Sequence, residues 1–243
     1  MNWLYLSPHM DDVALSCGGL VWEQTQAGLA VSIWTICAGD PPSGGISPFA
    51  KSLHTRWETP EQAAEKRRAE DRAAARRLGA VLRQFPIPDC IYRKHSGVFL
   101  YDSEESLWEP LHPDEAGLVE ALHRDLAGGL PSGARLVCPL ALGNHVDHQL
   151  TRAAIEGLSL PIWYYPDYPY VLEEGYRLEA LQEAGWRKRV FPVSEAGVQA
   201  WLEAVSAYHS QISTFWESEQ EMGKAIRDYA RQQGGVALWQ PPG

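Results

Sequence analysis

Ser7-Pro8-His9-Met10-Asp11-Asp12-Val13 gathers one imidazole and two adjacent carboxylates, and His145-Val146-Asp147-His148 adds two imidazoles and a third carboxylate far downstream. Three nitrogen or oxygen donors around an open position are what a catalytic zinc ion requires. A further carboxylate beside such a site can act as base toward the attacking water. Both clusters follow apolar runs, Trp3-Leu4-Tyr5-Leu6 and Leu136-Val137-Cys138-Pro139-Leu140. These runs read as buried strands that hand the chain to loops. In a parallel sheet both loops leave the carboxyl edge, where open α/β sheets place their ligands. Taken singly, each cluster could be capping carboxylates and solvated histidines. Together on one edge they point to a metal centre.

The intervening sequence supplies the elements that must carry these loops. A helix is expected from about Ala14 to Ala27, stopped by Gly28. Gly18-Gly19 inside it suggests close packing against a neighbouring backbone. Ala30–Cys37 reads as a strand, and Gly39 to Glu58, rich in proline and glycine, as a long loop near the site. Thr59-Pro60-Glu61-Gln62 has the signature of a helix start, with Thr59 as cap and Gln62 completing a capping box. That helix runs to Leu78 and ends at Gly79. A strand at Val81–Phe85, a helix at Asp114–Leu126, a helix at Asp147–Leu158 and a strand at Pro161–Tyr165 follow. Beyond about Glu173 the pattern loosens into a two-stranded segment and two helices, Glu195–Ile212 and Trp216–Arg231. The alternation implies an α/β, Rossmann-like fold: a mostly parallel sheet with helices on both faces, in a single domain spanning residues 1–243.

The helix ending at Leu78 carries a charge where none is expected. At about 100° per residue, Ala63, Ala64, Ala74, Ala75 and Leu78 form one apolar stripe, with Arg67 and Asp71 near its middle. A guanidinium on a buried stripe must be paired or line a cavity. Its partner is then Asp71 or Glu70, or else oxygen atoms of a substrate. Asp89 and Asp167 also sit in loops after strands, where turn chemistry and sugar binding explain them equally well. Trp57, in the proline- and glycine-rich loop, is a candidate to stack on a sugar ring.

Bulk properties narrow the class. At 243 residues the chain suits one well-buried domain. A formal net charge of −10 argues against nucleic acid as the main partner. No run approaches the roughly 18 apolar residues of a membrane span. The N-terminus lacks the pattern of a signal peptide. Cys17, Cys37, Cys90 and Cys138 form no Cys-x-x-Cys pair, and read as free thiols of a reducing, cytoplasmic setting. Homo-oligomer formation is left open.

Pro8-His9-Met10-Asp11-Asp12 resembles the Pro-His-Pro-Asp-Asp signature of the PIG-L/LmbE-like N-acetylglucosaminyl deacetylases, and His145-Val146-Asp147-His148 resembles their His-x-Asp-His motif. Arg67-Arg68-Ala69-Glu70 followed by Leu78-Gly79, and Tyr208-His209-Ser210-Gln211, are similar to two further family segments. The resemblance implies a zinc-dependent hydrolase, with iron as another candidate metal, that removes acetyl from a small-molecule N-acetylglucosamine-type substrate. By motif position it implies His9, Asp12 and His148 as ligands and Asp11 as base. It makes His145 the cation beside the developing oxyanion and Arg67 a substrate contact. Asp147 is then placed to bond and orient an imidazole. Three positions depart from the pattern: Met10, Val13 and Gly143, the last standing where some members carry a tyrosine that polarises the amide carbonyl. Two alternatives remain at this stage, a metal-dependent hydrolase of another amide or of a phosphoester, and a carbohydrate-binding protein without catalysis.

Overall fold

The Trp3–Leu6 run lies in the middle of a seven-stranded sheet in the computed structural model, which describes residues 2–57, 62–173 and 178–242. The first half contains β1 (Asn2–Ser7), α1 (Asp12–Gln26), β2 (Ala30–Thr35), α2 (Pro48–Arg56), α3 (Ala63–Leu78) and β3 (Val81–Gln84). A short hairpin, β4 (Lys94–His95) and β5 (Val98–Phe99), precedes α4 (Ala116–Gly129), β6 (Arg135–Pro139), α5 (Val146–Glu156) and β7 (Ile162–Tyr165). The last part holds α6 (Leu178–Glu183), β8 (Arg187–Phe191), α7 (Glu195–Val205), α8 (His209–Phe215), α9 (Glu219–Gln233) and β9 (Val236–Gln240).

The strand order is β3-β2-β1-β6-β7-β9-β8. The first five strands run parallel, while β9 is antiparallel to both β7 and β8. The order turns back on itself between β1 and β6, which opens a crevice at the carboxyl ends of those two strands. Side chains alternate across the sheet. Trp3 and Tyr5 pack with α1, α3, α7 and α9, whereas Leu4 and Leu6 pack with α4 and α5 on the other face. Helices therefore cover both faces, as the alternation requires. No described helix is long and apolar enough to cross a membrane.

Several expectations are corrected. The proline- and glycine-rich loop contains α2, capped by Ser47, whose Oγ accepts Ala50 N–H at 2.9 Å. A third apolar cluster around Leu53, Trp57, Ile91 and Leu107 holds α2 over the crevice. Helix α3 begins at Ala63 behind a left-handed Gln62 whose side chain makes no capping bond; Thr59, Pro60 and Glu61 lie outside the described residues. The helix expected over Glu195–Ile212 is two helices, broken at Tyr208. Gly18 and Gly19 face a side chain rather than a backbone: a Cβ on Gly18 would stand 2.6 Å from Trp201 Cδ1 of α7. Strand β9, not anticipated, brings the end of the chain back into the sheet between β7 and β8.

Candidate active site

Both motifs lie where a strand of the crevice hands over to a helix. The Ser7 hydroxyl closes the first turn, donating to the His9 carbonyl at 2.6 Å and accepting Val13 N–H at 3.1 Å. Asp11 occupies the N-cap of α1 without a side-chain capping bond, and Asp12 opens the helix. The partial positive charge of a helix N-terminus favours carboxylates there. At α5, His145 is the cap, its Nδ1 accepting Asp147 N–H at 3.2 Å. The loop before it turns through left-handed residues at Ala141, Gly143 (φ +84°) and Asn144. At Gly143 a tyrosine would be strained by the left-handed backbone.

These turns bring His9, Asp12 and His148 together. Asp12 Oδ2 lies 3.3 Å from His9 Nδ1 and 3.4 Å from His148 Nε2. Donors bound at about 2.0–2.2 Å to one tetrahedral zinc stand about 3.3–3.6 Å apart, so the spacing fits one cation. The far nitrogen of each imidazole is held by another carboxylate. His9 Nε2 donates to Asp147 Oδ2 at 3.0 Å, and His148 Nδ1 donates to Asp167 Oδ1 at 2.7 Å. His148 Nε2, fully buried, has no hydrogen-bond partner among the described residues. Outer carboxylates that orient ligating histidines are a standard part of metal sites. The donor atoms of His9, His145 and His148 also lie within 4.8 Å of one another. Asp147, shared by two further groupings, is already taken up by Arg93, Cys90 N–H and His9, which favours one cation over two.

The electrostatics agree with a cation site. Asp11, Asp12, Asp89, Asp147 and Asp167 are buried around it, against the guanidinium groups of Arg67 and Arg93. Burial opposes charge on Asp12, but His148 and His9 outweigh it and hold the carboxyl well below its usual range. Asp11 goes the other way, raised first by burial and then by the charge of Asp12. Burial works against protonation of His148, yet Asp12 and Asp167 push it up to about 9. His145 is held well below the ordinary histidine value, first by burial and then by His9. Nδ1 already accepts a backbone N–H, so in the neutral ring the proton sits on Nε2. The direction of this shift runs against the cation expected at His145.

Arg67 is buried on α3 as expected, but neither Glu70 nor Asp71 is its partner. Its terminal nitrogens stand 3.7 Å from Asp11 Oδ1 and 3.5 Å from Asp89 Oδ2, and its Nε has no partner among the described residues. Glu70 instead accepts Ser210 N–H and the Ser210 hydroxyl, at 3.0 and 2.6 Å. Asp71 accepts from Thr35, Gln84 and Tyr208. These bonds turn α8 toward α3. A cavity of about 270 Å³ opens over Asp11, Asp12, Arg67 and His145, walled by Trp57, Trp108, Tyr170 and Phe215. The Trp57 ring is engaged by Arg67, 4.8 Å from its centroid, and stacks with His54. Asp89 Oδ1 accepts Ile91 N–H in the turn after it, while its other oxygen faces Arg67. Asp167, by contrast, is the partner of His148, a role visible in sequence only as a carboxylate on the same strand edge. Arg93, Trp108 and Tyr170 carried no sequence signal.

Residues 4–158 match the model of the GlcNAc-PI de-N-acetylase (PIG-L) family. The chain belongs to this family. It is 29% identical over 203 residues to a 2'-N-acetylparomamine deacetylase of Niallia circulans, covering 76% of this chain and 72% of that one. A Streptomyces fradiae 2'-N-acetylparomamine deacetylase is 31% identical over 174 residues, which are 69% of this chain and 57% of the relative. Among solved structures, the zinc-inhibited form of teicoplanin deacetylase Orf2 superposes with a TM-score of 0.81 at 28% identity, over 99% of this chain and 97% of the other. The PIG-L match includes both histidine motifs, and the structural likeness extends through α7–α9 and β9.

Proposed function

We propose that the protein is a zinc-dependent N-deacetylase that hydrolyses the acetamido group of an N-acetylglucosamine-type ring, with one zinc held by His9, Asp12 and His148. The observation that carries the proposal is the pair of near-equal separations, 3.3 and 3.4 Å, from Asp12 to the two imidazoles, beside a cavity that also exposes Asp11. Relatives named as 2'-N-acetylparomamine and teicoplanin deacetylases support the same bond type.

When bound, zinc supplies Lewis acidity toward a carbonyl oxygen and activates water at neutral pH. Asp11 is raised by burial and by Asp12, which suits a general base: it takes the proton of the attacking water and returns it to the departing amine. That return is needed because an amide anion is a poor leaving group. His145 presents a neutral Nε2–H to the oxygen that becomes negative, with no reorganisation needed at that moment. Tyr170 lines the same cavity. It takes the carbonyl-polarising place that Gly143 leaves empty. Arg67, only loosely paired, binds ring oxygens of the sugar. The setting is a cytoplasmic one.

The test is mass spectrometry of N-acetylglucosaminides, 2'-N-acetylparomamine among them, incubated with the zinc-loaded protein. Loss of one acetyl group from at least one panel member is expected. Release of phosphate from phosphoesters with no deacetylation would replace this reading.

A further inference from the structure

Arg93 follows the turn Cys90–Tyr92 and is buried, yet it lies outside every motif. Its guanidinium spans two carboxylates. One terminal nitrogen donates to Asp147 Oδ1 and to the Pro88 carbonyl, the latter at 3.3 Å; the other donates to Glu115 Oε2 at 3.1 Å. Glu115 is fixed in turn by the Tyr101 hydroxyl at 2.7 Å, and that hydroxyl accepts His112 N–H at 2.9 Å. The chain of contacts thus runs from the start of α4 to the site without touching the cavity.

With Oδ1 held by Arg93, Asp147 has Oδ2 left for two donors, Cys90 N–H at 3.0 Å and His9 Nε2–H at 3.0 Å. A carboxylate so filled can only accept, so His9 carries a proton on Nε2 toward Asp147 and presents Nδ1 to Asp12 Oδ2 at 3.3 Å. We propose that Arg93 is a positioning residue which, by pinning Asp147 through Oδ1, fixes the tautomer and rotation of His9 and thereby sets the affinity of the metal site. The inference rests on the proposed role of His9 as a ligand. A planar fork is needed because two carboxylates on different elements must be held at once; an ammonium on a flexible stem cannot reproduce both bonds.

The experiment compares wild type, Arg93→Lys and Arg93→Met by zinc titration against a chromophoric chelator, with melting temperature measured alongside. Histidine ¹⁵N NMR of the metal-free chains, recorded at alkaline pH where the ring is neutral, reads the His9 tautomer. Arg93→Lys is expected to fold and to bind zinc about 10–100-fold more weakly, the usual effect of losing an outer partner of a ligand. Its His9 resonance should shift from the Nε2–H form toward a mixture. Arg93→Met, which leaves Asp147 without its cation, should weaken zinc binding further or fail to fold. Wild-type affinity and an unchanged His9 signal in Arg93→Lys would overturn the proposal, whatever Arg93→Met does. A wild-type chain that binds no zinc would overturn the ligand assignment itself, and this inference with it.

Discussion

Asp11 and Asp12 are neighbours with opposite electrostatics, the first raised by burial and by its neighbour's charge, the second held down by two imidazoles. The division of labour follows from direction as much as from charge. Asp12 opens α1 and points between His9 and His148, whereas Asp11 caps the helix and lines the cavity. Asp11→Asn keeps the side-chain volume and removes the proposed base. We expect kcat to fall by about 10²–10⁴ with zinc content unchanged, read by steady-state kinetics and elemental analysis. Asp12→Asn should instead lose zinc and regain part of its activity in excess metal. If the two variants exchange phenotypes, the roles are reversed. In sequence the two carboxylates are equivalent by type, and only their spacing from His9 hints at a difference. The lowered pKa of His145 was not legible at all, because it depends on burial in the folded site and on the charge of His9, 136 residues away in the chain.

Helix α3 shows how an element distributes its buried charges. The apolar stripe of Ala63, Ala64, Ala74, Ala75 and Leu78 was readable from periodicity and is buried. The partners of Arg67, Glu70 and Asp71 were not, since they come from four other parts of the chain. Arg67→Ala should lower kcat/KM by ten-fold or more while zinc content holds and the melting temperature falls only modestly. A stability loss of about 3–5 kcal/mol with unaltered kinetics would mark Arg67 as half of a buried ion pair and no more. Helix α1 offers a test of packing alone. Gly18→Ala drives a methyl to within 2.6 Å of Trp201 Cδ1, so the α1–α7 contact must open. Overpacking of this kind destabilises by about 1–3 kcal/mol, measurable by denaturant unfolding with little change in kcat. An unchanged midpoint would show that Trp201 can move aside freely.

Stability of the whole molecule should carry the signature of Asp71, which joins β2, β3, α3 and the start of α8 through Thr35, Gln84 and Tyr208. Burial raises its pKa from 3.8 to about 7. Between those values the folded chain keeps a proton that the unfolded chain has released. This contribution is therefore fully present below about pH 4 and is lost as pH rises through about 7. Asp71→Asn should flatten the decline of melting temperature across that window, measured by calorimetry at several pH values. A slope identical to wild type would show that Asp71 is charged in the fold throughout. The sequence by itself determined the alternating strands and helices, the doubly wound parallel sheet and the pairing of the two histidine motifs on one edge, because periodicity and turn residues act locally. Only the tertiary structure decided that β9 inserts between β7 and β8, that α2 and the Trp108–Tyr170 wall cover the crevice, and that Asp147, Asp167 and Arg93 stand behind His9 and His148. Those are contacts between residues far apart in the chain, each made by a common residue type whose meaning comes from what stands opposite it.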